Sequence, residues 1–214
     1  MSFLTALLYD RVMAKTEAAC LGDWRRDLLR QASGEVLEIG AGTGASIDYY
    51  SAAVTRLLLT EPDPHMRSQL QDKVSRRGMK NVVVAGGSAE RIEAGDGEFD
   101  YVVTSLVCCS VNDLHTCLGE IGRVLKPGGC FVFLEHVAAA DGTTRRKWQN
   151  RINPVWKTLM GNCHLNRETE RAILDAGFEI TQIERESMRK ALPIVRPTIR
   201  GVARKRDANL PSAT

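Results

Sequence analysis

The sequence predicts an α/β fold built on a mostly parallel sheet, and three observations lead there. Short β-prone runs alternate with helical stretches over residues 35–135. The first of those runs ends in closely spaced glycines. The chain has 214 residues, 43% apolar and 26% charged, which suits one hydrophobic core of ordinary globular composition. Two full domains, a coiled coil, a collagen-like chain and a disordered chain are excluded by the same figures.

The elements follow in order. Residues 3–31 carry Leu4, Leu7, Leu8 and Val12 at helical spacing, then a second pattern from Trp24 to Leu28 and Leu29 with Asp23 as its expected N-cap. Ser33-Gly34 ends that helix. Strands are expected at Glu35–Ile39, Val54–Thr60, Val82–Ala85, Tyr101–Leu106 and Cys130–Glu135. Helices are expected between them at Ala45–Ser51, Pro64–Arg77, Ala89–Ile92 and Leu114–Leu125. Strands separated by helices imply right-handed βαβ units. Residues 138–165 lose this periodicity and carry Trp148 and Trp156. Thr169–Ala176 reads as a helix stopped by Gly177, and Phe178–Glu184 with Ile194–Ala203 as a closing hairpin. From Asp207 onward the chain reads as a frayed tail.

Charge and cysteine usage narrow the class further. The 29 basic and 26 acidic residues leave a net charge of +3, too mild to imply a nucleic-acid partner. Arg145-Arg146-Lys147 and Arg204-Lys205-Arg206 read as solvated faces. Cys20, Cys108, Cys109, Cys117, Cys130 and Cys163 contain no CxxC pair, so reduced thiols in a cytoplasmic chain without a metal are expected. A metal set built on Cys163 and His164 is the alternative. No stretch approaches the roughly 20 apolar residues of a membrane span, and Asp10-Arg11 cuts the first apolar run short.

The strongest motif is Val36-Leu37-Glu38-Ile39-Gly40-Ala41-Gly42-Thr43-Gly44. An apolar strand entering a glycine loop lets a ligand approach the backbone, with a helix N-terminus expected to follow. By itself this also passes as a degenerate dinucleotide fingerprint. The Glu38 carboxylate, two residues before the first glycine, would repel a pyrophosphate and favour a ligand with a cationic amino group. Glu61, after the second strand, suits the hydroxyls of a ribose in either ligand. Gly86-Gly87-Ser88-Ala89-Glu90 follows the third strand as a turn whose backbone faces an adenine edge, and Arg123-Val124-Leu125-Lys126-Pro127-Gly128-Gly129 turns the chain into the fifth. A nicotinamide oxidoreductase with a Tyr-x-x-x-Lys pair is not written here, since none of Tyr9, Tyr49, Tyr50 and Tyr101 has Lys four residues on.

Over residues 35–135 these motifs resemble the class I S-adenosylmethionine-dependent methyltransferases. That resemblance implies a Rossmann-like three-layer sandwich, with a seven-stranded, mostly parallel sheet and one antiparallel strand. It implies an N-terminal helical lid at residues 1–34 that includes Tyr9 and Trp24, a methyltransferase domain at 35–206 and a flexible tail at 207–214. S-adenosyl-L-methionine would be the cofactor and S-adenosyl-L-homocysteine the product. Carried over by position, Glu38, Gly40, Ala41, Gly42 and Gly44 would line the methionine part and Glu61 the ribose. Pro62, Ser88, Ala89 and Leu106 would complete the donor site. Many members have Asp where Ser88 stands, which leaves the adenine amino contact to backbone.

The second half is similar to the small alkyl-thiol S-methyltransferases of animal microsomes. The likeness runs through Cys108-Cys109-Ser110-Val111, Glu135-His136-Val137, Trp148-Gln149, Pro154-Val155-Trp156, Gly161-Asn162-Cys163-His164 and Val195-Arg196-Pro197. Those animal proteins carry an N-terminal membrane anchor, which the short apolar run at residues 3–8 does not match. The resemblance implies methyl transfer to a small-molecule acceptor, first a thiol, otherwise the oxygen, nitrogen or carbon of a metabolite. A non-catalytic donor-binding protein is the remaining reading. His136, at the end of the fifth strand, is the candidate base, because histidine titrates in the useful range. Cys109, Trp148, Trp156 and Cys163 are the candidate acceptor pocket. A monomer or homodimer without nucleic acid or an integral membrane segment is expected.

Overall fold

The structure, a computed structural model, describes Arg11 and residues 13–205. Leu4, Leu7, Leu8, Tyr9, Val12 and the expected tail from Asp207 lie outside those residues. Strands β1 (Gly34–Ile39), β2 (Val54–Thr60), β3 (Val82–Ala85), β4 (Phe99–Ser105), β5 (Leu125–His136), β6 (Phe178–Ser187) and β7 (Pro197–Lys205) form one sheet. Their order is β3-β2-β1-β4-β5-β7-β6. The first five are mutually parallel. β7 runs antiparallel to both of its neighbours, as the expected seven-stranded sheet requires.

The order reverses beside β1, whose neighbours are β2 and β4. At such a switch point the connections leave in opposite directions, and a crevice opens at the carboxyl ends of the strands. Alternate side chains of each strand feed two separate cores. Val36, Leu57, Leu59, Val103, Val132 and Leu134 face helices α1 (Gly22–Leu29) and α2 (Pro64–Arg76). Leu37, Leu58, Val102, Phe131 and Phe133 face helices α3 (Leu114–Val124) and α5 (Thr169–Asp175). Burial on both faces explains why these strands read as continuous apolar runs rather than alternating ones. Helix α4 (Thr144–Leu159) lies between β5 and α5 in the chain.

Four expectations change. Asp23 is not an N-cap, because residues 13–16 and a π-helical turn at Glu17–Leu21 lead directly into α1. It pairs instead with Arg26 one turn on, at 2.6 Å. The helix at Ala45–Ser51 is replaced by turns, Gly44 N donating to Ala41 O and Tyr49 N to Ser46 O. Ala89–Ile92 is likewise a turn, closed by a bridge between Ser88 and Arg91. Conversely, α4 forms where no periodicity was legible: its large apolar residues Trp148, Val155 and Leu159 are exposed, and a polar residue, Gln149, is the buried one. Trp24 is a core residue, 7% exposed, with the Arg200 guanidinium 5.8 Å above its ring.

The hairpin of β6 and β7 depends on one close approach. A Cβ at Gly201 would lie 2.0 Å from the Gln182 carbonyl oxygen and 2.9 Å from Phe133 Cζ. Backbone and a buried ring cannot both yield, so Gly201→Ala is expected to cost about 1–3 kcal/mol through overpacking. Denaturant unfolding reads this directly, and an unchanged midpoint would count against that packing.

Candidate active site

The crevice begins where β1 runs out. Gly42 sits at φ +58°, a left-handed conformation that glycine adopts without strain, and a Cβ there would find no atom within 4 Å. That open space faces outward from the loop backbone. Gly40, at φ +63°, is needed for a different reason: a Cβ would press within 2.6 Å of Val107 Cγ2.

Two carboxylates brace the loop. Glu61, at the tip of β2, accepts Gly42 N–H on one oxygen and Asp63 N–H on the other, each at 2.9 Å. Glu38 is 2% exposed and accepts the Tyr50 hydroxyl at 2.9 Å. Burial pushes the Glu38 carboxyl above its usual range, opposed by hydrogen bonds from Ser46 and Tyr50 and by the charges of Arg25 and Lys73. Burial also raises Glu61, opposed by the Asp63 and Gly42 amides. Here is the reason for the missing helix after the loop: Ser46 and Tyr50 turn inward to satisfy a buried carboxyl, and the intervening backbone closes in turns.

The rest of the predicted donor set lies around these groups. Arg67 donates to the carbonyls of Glu61 and Pro62, at 2.7 and 3.1 Å. The Ser88 hydroxyl is committed to Glu90, 2.7 Å away, so this turn offers backbone rather than side chain. Ala89 is buried. Leu106 takes φ +60°, rare for a bulky residue, with its N–H held by Leu134 O at 2.8 Å. Val107 then joins the two halves of the crevice. Its side chain walls Gly40, and its N–H donates to Glu135 Oε1 at 3.1 Å.

Beyond Val107 the structure gathers three residues remote in sequence. Cys109, His136 and Cys163 bring their sulfurs and a ring nitrogen within 4.8 Å of one another. His136 Nε2 lies 3.0 Å from Cys163 Sγ, and Trp156 Nε1 donates to the same sulfur at 3.3 Å. Cys109 and His136 are buried, while Cys163 is partly accessible. The Cys109 thiol and burial push the Cys163 thiol up, against the pull of His136. Four of the five predicted acceptor-side residues therefore meet. Trp148 does not join them; it stays 54% exposed on α4.

Residues outside the predicted set create this convergence. Asn162, at φ +66°, donates to the carbonyls of Ser110 and Val111 at 2.9 and 3.2 Å. Arg167 caps the Cys108 and Val111 carbonyls, and His164 N–H donates to Cys109 O at 2.7 Å. Gln149, fully buried, accepts Ala139 N–H at 2.7 Å and donates to Val137 O and Ile194 O at 3.2 and 2.9 Å. The adjacent Gly161-Asn162 was the one local signal, since Asn tolerates left-handed backbone better than most residues.

The comparisons with known proteins show the class of protein to which this fold belongs. Residues 37–133 match the methyltransferase domain family, and the chain belongs to the S-adenosylmethionine-dependent methyltransferases. Among relatives it is similar to thiol S-methyltransferase TMT1A of Homo sapiens, 32% identical over 202 residues, 93% of this chain and 82% of that protein. Thiol S-methyltransferase TMT1B of Homo sapiens is 36% identical over 195 residues, 86% of this chain and 77% of that one. Geranyl diphosphate methyltransferase in complex with S-adenosylmethionine shares the fold with a TM-score of 0.73 at 14% identity, covering 91% of this chain and 89% of that one. No described helix is long and apolar enough to cross a membrane.

Gln149 ties α4 to the segment after β5 through three hydrogen bonds to part-buried backbone groups. Gln149→Ala is expected to lower stability by about 1–3 kcal/mol, the cost of orphaning them. Thermal unfolding checks this, and a shift indistinguishable from an exposed-site control such as Gln182→Ala would contradict it.

Proposed function

We propose that this chain methylates a small apolar thiol at sulfur, using S-adenosylmethionine as donor. The observation that carries the reading is the extent of the likeness: at 32% and 36% identity it spans 93% and 86% of this chain, well past the domain match at 37–133. It therefore takes in the segment after β5, where folds of this kind shape the acceptor site. The sulfur-lined cluster beside Val107 is consistent in chemistry with a polarisable acceptor.

The crevice fits the donor. The space over Gly42 admits a ligand against bare backbone. Gly40, Ala41 and Gly44 would continue the wall along the methionine part, although a Cβ at Gly44 would meet Leu70 rather than open space. Glu38 would face the ammonium group. Glu61 keeps unused lone pairs for ribose hydroxyls after accepting two amides. Pro62, the Ser88 backbone, Ala89 and Leu106 complete the adenine side. The N-terminal segment would serve as the lid in this reading; of its described part, α1 packs on the sheet and brings Arg25 to 3.3 Å from Ser105 Oγ at the tip of β4.

The bound donor supplies an activated methyl group, so the protein has only to hold the acceptor in line and present it as a nucleophile. A free thiol with a pKa of about 8.5 is a minor thiolate at neutral pH, and His136 would deprotonate or orient it. Cys109, Trp156 and Cys163 would form the pocket wall.

Alkyl thiols, phenols and amines offered with labelled donor should divide clearly, with label appearing on thiols. Labelled phenols beside unlabelled thiols would defeat the assignment. His136→Ala should lower kcat/KM for thiols by about a hundredfold. Retention to within about threefold would remove His136 from the reaction.

Donor binding should also depend on pH. Glu38 has a raised pKa in the free protein, and an ammonium beside it would pull that pKa down. The ligand thus favours the ionised carboxylate, and its affinity should weaken as pH falls through the raised free-state value. Calorimetry with S-adenosylhomocysteine from about pH 8 to about pH 5 measures this, and Glu38→Gln should flatten the slope. An identical slope in that variant would clear Glu38 of the role.

A further inference from the structure

We infer that Cys109, His136 and Cys163 form a three-ligand site for a borderline-soft divalent cation, zinc in the first instance. Its fourth position would be taken by the sulfur of the methyl acceptor. The second half of this inference rests on the thiol reading above; the first half does not.

The donor set comes first. Two thiols and an imidazole are the ligands of a catalytic zinc site that keeps one position open. Their donor atoms already lie within 4.8 Å of one another. Tetrahedral bonds of about 2.0–2.3 Å would set ligand atoms about 3.3–3.8 Å apart, so side-chain adjustments of an ångström or less suffice. The ligands come from three separate segments, each braced by backbone: the loop after β4, the end of β5, and the loop after α4 held by Asn162.

The surroundings point the same way. Trp156 Nε1 donates to Cys163 Sγ at 3.3 Å, and the Ser110 hydroxyl lies 3.4 Å from Cys109 Sγ. Such donors stabilise sulfur that carries negative charge and hold ligands in place. His136 Nδ1 is buried and has no hydrogen-bond partner among the described residues. Nε2, 3.0 Å from Cys163 Sγ, is therefore the ring nitrogen that would ligate. Cys163 is the partly accessible member of the cluster. By contrast, Cys108 and Cys117 are fully buried core thiols outside the cluster.

A cation here would solve the acceptor's protonation problem. Coordination of R–SH releases its proton to solvent and holds a thiolate at neutral pH. The thiolate lone pair forms the new sulfur–methyl bond as the methyl–sulfonium bond breaks. The electron pair of the broken bond stays on S-adenosylhomocysteine. The neutral thioether product is a weaker ligand than a thiolate and leaves. Of the two roles given to His136 above, this is the orienting one: it holds the cation that positions the acceptor, and the proton goes to solvent.

The test uses the full chain, reconstituted with zinc, desalted and assayed for metal by mass spectrometry. About one equivalent is expected. Cobalt(II) in its place should show thiolate charge-transfer absorption. Cys163→Ser and His136→Ala should each weaken zinc binding at least about tenfold, with S-adenosylhomocysteine binding reporting that they are folded, while Cys130→Ser retains the metal. Wild-type protein with less than about a tenth of an equivalent and no cobalt band would overturn the site, as would full occupancy in Cys163→Ser. Chelation should reduce thiol turnover at least about tenfold without changing S-adenosylhomocysteine binding, and zinc should restore it. Turnover indifferent to metal removal would overturn the acceptor role. A metal-loaded protein that methylates no thiol would uphold the site and reject the thiol reading; thiol turnover by a protein that binds no metal would do the reverse.

Discussion

The hydrogen bonds between the Glu61 carboxylate and the Gly42 and Asp63 amides are the constraint from which the crevice at the strand ends follows. The first ties the tip of β2 to the loop after β1, and the second fixes the carboxylate within its own turn, beside the strand at which the order reverses. Each is charge-assisted and worth about 1.5–3 kcal/mol when the carboxylate is ionised. Burial works against that ionisation, and the amides offset it. The same carboxylate thus organises the loop and remains able to accept further donors, which is preorganisation in its simplest form.

Glu38 is raised by burial as Glu61 is, but what opposes burial differs: the Ser46 and Tyr50 hydroxyls and the charges of Arg25 and Lys73 take the place of backbone amides. A buried charge is costly unless it is paired, and these groups share that task. Two acidic residues a few ångströms from one glycine loop therefore differ in role because their surroundings differ. Ser46 and Tyr50 are drawn into that arrangement, and the helix that propensity would place after the loop gives way to turns.

The acceptor side is assembled by different forces. No strand or helix carries Cys109 and Cys163 together; backbone carbonyls of one loop are bound by side chains of another through Asn162 and Arg167. Gln149 does the equivalent work beneath α4. The convergence is polar and directional, whereas the sheet beneath it is held by apolar burial. Polar networks of this kind specify one geometry because leaving any member unsatisfied is costly.

How much was legible follows from these physics. The parallel strands, α2 and α3 show in the sequence because burial on one or two faces imposes periodic or continuous apolar patterns, and short-range chemistry marks the glycine loop with Glu38 and Glu61. Helix α4 was invisible because Trp148, Val155 and Leu159 lie in solvent, Ile152 and Trp156 are only half-buried, and its fully buried residue is an amide. Cysteine spacing carried no metal signature, since Cys109, His136 and Cys163 sit on three segments that only the finished sheet brings side by side. The sequence alone determined the fold class and the position of the glycine loop, for both depend on neighbours in the chain. The tertiary structure decided which sulfurs face one another, because contacts between distant loops are set by the packing of everything between them.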